Sequence, residues 1–304
     1  MAKYKDIGGT AVQTRSGAEE YTYPSPEGEL FYNSGNGQFQ FVGLGAGNWA
    51  TGGNLNQARY AGSGGDGTLT AAIVAGGYSN ARVDNVEKYD GSSWTEVADL
   101  NDARYSLALF GTSSSALAVG GDTPPYTGNT ESWNNSSWTE VADLNTARRN
   151  SARAGASNTS GLVAGGYASP GYQAVVETWD GSSWTEVGDL NTARDGVSGT
   201  GIVTAALVAA GDTPPRTANT EVWDGSSWTE VNNLNTARMY AGTTGLSSTN
   251  ALLFGGLAAP GDTANTESWD GTSWTELNNL ATARQSLSGA GASSSSALAF
   301  GGRS

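Results

Sequence analysis

One phrase is written into this chain again and again. Residues 180–194 read DGSSWTEVGDLNTAR, and the phrase returns around Trp94 (DGSSWTEVADLNDAR), Trp138 (NNSSWTEVADLNTAR), Trp228 (DGSSWTEVNNLNTAR) and Trp274 (DGTSWTELNNLATAR). A worn copy, AGNWATGGNLNQAR, surrounds Trp49. The six tryptophans are 45, 44, 46, 44 and 46 residues apart. Self-similarity at this period marks a solenoid, propeller or array, whose units bury their apolar faces only against their neighbours.

Inside each unit the order of signals is constant. An Ala-Arg pair opens it, at Arg59, Arg104, Arg148, Arg194, Arg238 and Arg284. After a Gly/Ala/Ser-rich run comes a short apolar run closing on glycine: AAIVAGG (71–77), ALAVGG (116–121), GLVAGG (161–166), AALVAAG (205–211), ALLFGG (251–256) and ALAFGG (297–302). Short apolar runs bounded by glycine predict strands buried on both faces. A loop then leads to Glu-x-aromatic (Glu87/Tyr89, Glu131/Trp133, Glu177/Trp179, Glu221/Trp223, Glu267/Trp269), and an Asp-Gly or Asn-Asn turn returns the chain into Ser-Ser-Trp-Thr-Glu. Each repeat therefore predicts four short antiparallel strands.

A strand ending in Gly-Gly, then an aromatic about a dozen residues on and a Trp about five later, resembles the kelch repeat over roughly residues 55–304. The resemblance implies a β-propeller with one four-stranded blade per repeat, which the period also suggests. The expected fold is all-β: a six-bladed kelch-like propeller with blades at about 59–100, 104–144, 148–190, 194–234 and 238–280. The last blade would join 284–304 to 29–55, closing the ring with strands from both termini. The stretch ELFYN–SGNG–QFQFVGL (29–44) predicts a β-hairpin, its first strand an addition to that blade. Residues 1–28 read as an extended arm docked on a partner, with Lys3, Tyr4, Lys5, Tyr21 and Tyr23 as attachment residues.

Composition removes whole classes of chemistry. Without cysteine or histidine among the 304 residues, disulfides, thiolate nucleophiles, imidazole triads and ordinary zinc sites are excluded. No metal or other cofactor is expected. A net charge of −14 argues against nucleic acid, which requires a basic stripe. No apolar stretch approaches the roughly 20 residues of a membrane helix, so membrane insertion is not expected, and MAKYKDIGGT lacks the apolar core of a secretory signal.

Four sets of side chains compete for a functional reading. Trp49, Trp94, Trp138, Trp184, Trp228 and Trp274 hold one equivalent position per repeat and read as blade-to-blade core; Trp133, Trp179, Trp223 and Trp269 are expected farther out, half-exposed, where they could touch sugar or a partner. The repeated arginines are expected at one mouth of the channel, either holding an anionic ligand or pairing with a repeated carboxylate such as Glu186 or Glu221. Repeated Asp-Gly pairs resemble sialidase Asp-boxes but are one residue short, and turn chemistry explains them. Loops from Gly-Gly to Glu differ between units while the opposite turns hardly change, so Pro125, Tyr126, Pro170, Tyr172, Arg216 and Pro260 are the expected contact tips.

The words GELFYN, GQFQFVG and NWATGGNLNQAR, followed by the repeated phrase, resemble bacteriophage tail-fibre and tail-associated proteins with kelch-like repeats. That resemblance implies a non-enzymatic virion protein at the tail. Its arm would bind other virion proteins, and its loops a host-surface glycan or protein, with several copies per particle and possibly a homotrimer. An adaptor or decoration protein is the alternative; a cellular kelch-type scaffold or sugar-binding propeller is the third.

Overall fold

The computed structural model describes residues 49–61 and 63–304 (side chains of 63–66 excepted), together with the backbone of three short strands nearer the N-terminus. Every regular element among them is a strand. The glycine-bounded apolar runs become the second strand of each unit, and four-stranded antiparallel sheets follow one another along the chain. The first holds Ser63–Thr68, Ala71–Tyr78, Arg82–Tyr89 and Trp94–Val97; the second holds Ala108–Thr112, Ser115–Val119, Thr130–Trp133 and Trp138–Val141. The third holds Ala152–Ser157, Ser160–Ala164, Val176–Trp179 and Trp184–Glu186. The fourth holds Ser198–Ile202, Ala205–Ala209, Thr220–Trp223 and Trp228–Val231, and the fifth Gly242–Ser247, Asn250–Phe254, Thr266–Trp269 and Trp274–Leu277. These are the blades of an all-β propeller.

Five blades form, not the six expected from the repeat. The last repeat contributes only the hairpin Gln285–Ser293 with Ser296–Arg303. Residues 284–304 carry neither Glu-x-Trp nor Ser-Ser-Trp, so nothing in them can build outer strands. The segment expected to supply those strands goes elsewhere. Leu30–Asn33 and Gln38–Phe41 do pair as an antiparallel hairpin, but Gln13–Arg15 joins them in parallel, in a separate compact unit, Met1–Asn48. Residues 29, 34–37 and 42–48 of that segment, like attachment residues Lys3, Tyr4, Lys5, Tyr21 and Tyr23, lie outside the described residues.

The inner strands and the C-terminal hairpin meet around a channel, and their entry residues lock to one another. Ala61, Ser106, Asn150, Gly196, Tyr240 and Ser286 follow the repeated arginines by two residues, and all six have φ between 48° and 62°. Their backbones link around the ring: Ala61 N–H donates to Ser286, Ser106 to Ala61, Asn150 to Ser106, Tyr240 to Gly196 and Ser286 to Tyr240, at 2.7–2.9 Å. A left-handed backbone costs a non-glycine residue roughly 1–2 kcal/mol. The ring hydrogen bonds and the packing on either side hold it in place.

Tryptophan packs blade on blade. Trp138 shares a core with Ile73 and Leu107 and donates to the Ala98 carbonyl of the preceding blade at 3.0 Å. Trp184 and Trp274 donate to Thr130 and Thr220 of theirs, at 3.3 and 3.0 Å. Trp49 makes the same bond to Thr266 at 3.2 Å and meets Phe254 edge-on at 5.0 Å, so it holds the sixth tryptophan position with no four-stranded sheet around it. The second tryptophan set is a correction: Trp133, Trp179, Trp223 and Trp269 are only 1–4% exposed. Strand register sets each directly opposite its partner, with ring centroids 5.2–5.4 Å apart, and both rings fill the space between blades. Each indole N–H of this set donates to a turn carbonyl, which leaves no ring face for a sugar.

On one side of the propeller the turns are nearly uniform. Asp180 Oδ1 accepts from the backbones of Ser182 and Ser183, and Asp224 does the same with Ser226 and Ser227. Asn134 takes the same bonds in the second blade without a charge. The Ser183 backbone, with Ser182 beside it, holds Asp180 down at about 2, and the Ser226 hydroxyl with the Ser227 backbone holds Asp224 at about 2. Asp90 and Asp270 are lowered in the same way.

Two outcomes test this account. Trp184→Ala should destabilise the propeller by about 3–5 kcal/mol in denaturant titrations; an unchanged midpoint would refute the packing role. The turn carboxylates ionise more readily folded than unfolded, where the value is about 3.9. They therefore stabilise the fold above about pH 4, and that contribution drains away as pH falls toward about 2. Replacing Asp90, Asp180, Asp224 and Asp270 by Asn should flatten the fall of melting temperature across that window. An unaltered slope would remove the turns from the acid response.

Candidate functional site

The repeated arginines are not a ligand ring. Arg104, Arg148, Arg194 and Arg238 are at most 1% exposed and Arg59 only 4%. Each pairs with the glutamate of Glu-x-aromatic in its own blade: Arg59 with Glu87, Arg104 with Glu131 (2.9 Å), Arg148 with Glu177, Arg194 with Glu221 (2.7 Å) and Arg238 with Glu267 (2.9 Å). The second carboxylate oxygen accepts the backbone N–H of the Asn in Leu-Asn-Thr-Ala-Arg, as Asn101 on Glu131 and Asn191 on Glu221 at 2.8 Å show. One glutamate thus clamps both ends of the crossing loop. Burial lowers Arg104 and raises Glu131 from their ordinary values. Glu221 is a partner as expected; Glu186 is not, because it lies on the outer strand, exposed. The sixth arginine, Arg284, is half-buried and donates to the Gly301 carbonyl at 3.2 Å.

What differs between units sits on the face opposite the uniform turns. The residue after each repeated arginine bridges, backbone to backbone, the residue after the closing glycine of each apolar run: Tyr60 to Tyr78, Tyr105 to Asp122, Arg149 to Tyr167, Asp195 to Asp212 and Met239 to Leu257. In the C-terminal hairpin the same pair is Gln285 and Arg303. In the five blades a third residue folds back onto this pair: Arg82, Tyr126, Tyr172, Arg216 and Asp262. Scaffold residues one position away repeat faithfully, while these positions change from blade to blade. The face therefore runs from aromatic and basic on the first three blades, through acidic on the fourth, to apolar on the fifth.

These residues also reach across blade boundaries. Asp122 is the hub: Arg82 donates to it at 3.3 Å from the first blade, Arg149 pairs with it from the third, and the Tyr105 hydroxyl donates to it at 3.2 Å. The Arg149 guanidinium lies 4.8 Å from the Tyr126 ring and 5.6 Å from Tyr167, and Arg82 is 5.7 Å from Tyr105. Tyr172 donates to Asp212 at 2.7 Å, a bond that holds its phenol up at about 12. Arg216 reaches the Ala258 carbonyl at 2.9 Å, and Gln285 reaches Asp262 at 2.8 Å.

Among the expected tips, Pro125, Pro170 and Pro260 are exposed, while Tyr126, Tyr172 and Arg216 are half-buried in these contacts. All six lie on the one face. Asp122, Arg149 and the tyrosines following arginine were missed by sequence reading; their signal was a repeat broken at one position beside an unbroken one. The channel mouth, lined by Ser106, Asn150, Arg153, Tyr240 and Ser286, encloses about 80 Å³. That is far below the roughly 300–1,000 Å³ of a small-molecule pocket.

Removing one partner of a buried ion pair strands the other, at a cost of about 3–5 kcal/mol. Glu221→Gln should therefore destabilise strongly in denaturant titrations, whereas Glu186→Gln on the exposed strand should stay within about 0.5 kcal/mol of the parent. Equal effects would undo the pairing assigned here. In comparison with known proteins, the chain matches no protein-family model and no curated protein.

Proposed function

We propose that this chain is a non-enzymatic bacteriophage tail protein of the kelch-like repeat type, attached to the particle through residues 1–28 and binding the host surface with its loop face. The observation that carries the reading is a set of bridged positions on one side that change from blade to blade while the arginine and glycine next to them repeat. A scaffold needs only its own repeats; residues that differ in register on one face suit recognition of something asymmetric. The phage context rests on the resemblance of the repeated phrase and of the stretch around residues 28–59, which is analogy. Several copies on one particle would raise a weak single-site affinity without any new contact.

The full chain, added in excess to host cells, should block adsorption of the particle that carries it, and a Tyr126→Ala/Arg216→Ala variant should block it less. If adsorption is untouched while particles lacking the chain fail to assemble, it is an adaptor or decoration protein. Reducing sugar released from host polysaccharide would make it an enzyme.

A further inference from the structure

We infer that the guanidinium–tyrosine arc running from the C-terminal hairpin over the first three blades is a binding surface for an acidic saccharide, a sugar chain bearing carboxylate or phosphate. This deepens, and rests on, the adhesion reading of the loop face.

Three cations stand on three tyrosines along the arc. Arg303 is 5.0 Å from the Tyr60 ring, Arg82 5.7 Å from Tyr105 and Arg149 4.8 Å from Tyr126. Arg82 and Arg149 share the Asp122 carboxylate, and Arg149 also lies in the field of Asp195. Three guanidinium groups are nonetheless gathered along this arc on a chain whose net charge is −14. The side chains of Arg82 and Arg149 remain 35% and 27% exposed, and Arg303 is exposed. A guanidinium fixed over a ring keeps edge N–H donors in the planar fork that matches carboxylate and phosphate oxygens. Half-buried tyrosines beside it offer ring edges and hydroxyls to the alternating apolar and polar faces of a sugar.

A protein partner fits less well. Anchors of such interfaces are large apolar or aromatic groups seated in dry pockets. Among the described residues the exposed large apolar side chains are Leu69 and Leu246, at the first-to-second-strand turns of the opposite face. With a central cavity too small for a ligand, the arc favours an extended polymer lying across neighbouring blades.

The test is isothermal titration of the full chain with hyaluronan oligosaccharide (carboxylate), with phosphomannan oligosaccharide (phosphate) and with uncharged dextran. Binding to one or both anionic polymers is expected, the stronger naming the anion, with none to dextran. It should weaken as salt rises from about 0.01 to about 0.15 M and the screening length falls from about 30 to about 8 Å. The R82Q/R149Q/R303Q variant should bind at least about tenfold more weakly, about 1.4 kcal/mol, and should melt lower than the parent because Asp122 loses both its ion-pair partners. R303Q alone, on an exposed terminal residue, should cost about threefold and decides the matter if the triple variant does not fold.

Failure to bind either anionic polymer, equal binding of dextran, or unchanged affinity of the variants overturns the inference. If the chain blocks adsorption yet binds neither polymer, the saccharide falls and adhesion stands. If it binds them but blocks no adsorption, the surface stands and the adhesion reading falls.

Discussion

A four-stranded sheet of this size has two apolar faces and no means of burying either by itself. Everything else in the propeller answers that constraint. Leu162, Val176 and Ala206 are fully buried in a cluster that joins the third blade to the fourth, and Trp228 of the fourth closes it at 8% exposure. The stability of one blade is therefore a property of its two neighbours, and the circuit has to close. Among the described residues it closes with unequal parts: five complete sheets, one hairpin and a single indole. Trp94 packs on Phe300 of the hairpin at 5.0 Å, and Trp49 packs on Phe254 of the fifth blade at the same distance. Two tryptophans thus bracket the sixth interval.

The buried arginine–glutamate pair explains why the loop between blades is so strictly repeated. A loop crossing from the outer strand of one sheet to the inner strand of the next carries polar backbone over an apolar interior, which is costly unless every group finds a partner. The glutamate takes the Asn N–H at the start of the crossing and the guanidinium at its end. Further guanidinium N–H groups reach carbonyls, as Arg104 does at Asn129 and Ala118, while its Nε is buried without a hydrogen-bond partner. An ion pair in such a place contributes less to stability than its Coulomb energy suggests, because both charges lose their water. Its plainer effect is geometric: it fixes where the next residue emerges.

The sequence was most legible where local pattern and burial agree. Apolar runs closing on Gly-Gly marked the second strands, Asp-Gly-Ser-Ser marked the outer hairpins, and the Gly/Asn turn after residue 33 marked the N-terminal hairpin. Long-range pairing was not legible. The hairpin at Leu30–Asn33 and Gln38–Phe41 forms as its turn demands, yet nothing local says that its sheet partner is Gln13–Arg15. Each repeat also offered two glutamates to its arginine. Glu177 and Glu186 stand directly opposite across one strand pair, and only the depth of each strand in the blade separates a buried partner from a solvated one. The same depth buries Trp179, which its place in the repeat had suggested would be half-exposed.

Symmetry sets the terms on which such a scaffold recognises anything. Identical side chains at every blade would offer a ring of equal sites, suited to a ligand on the axis, and the axis here is bordered by hydrogen-bonded backbone from Ala61 to Ser286. A site with direction has to break the repeat, and the break must spare the clamp that holds the blades. The positions that vary meet both demands. They follow the arginine and the closing glycine by one residue, so the clamp and the glycine turn orient them without depending on their chemistry. Because their side chains also cross to the next blade, as Arg149 and Arg82 do at Asp122, a substitution made for recognition is felt at a blade boundary. The surface that this face presents and the packing of blade on blade are therefore coupled through the same few groups.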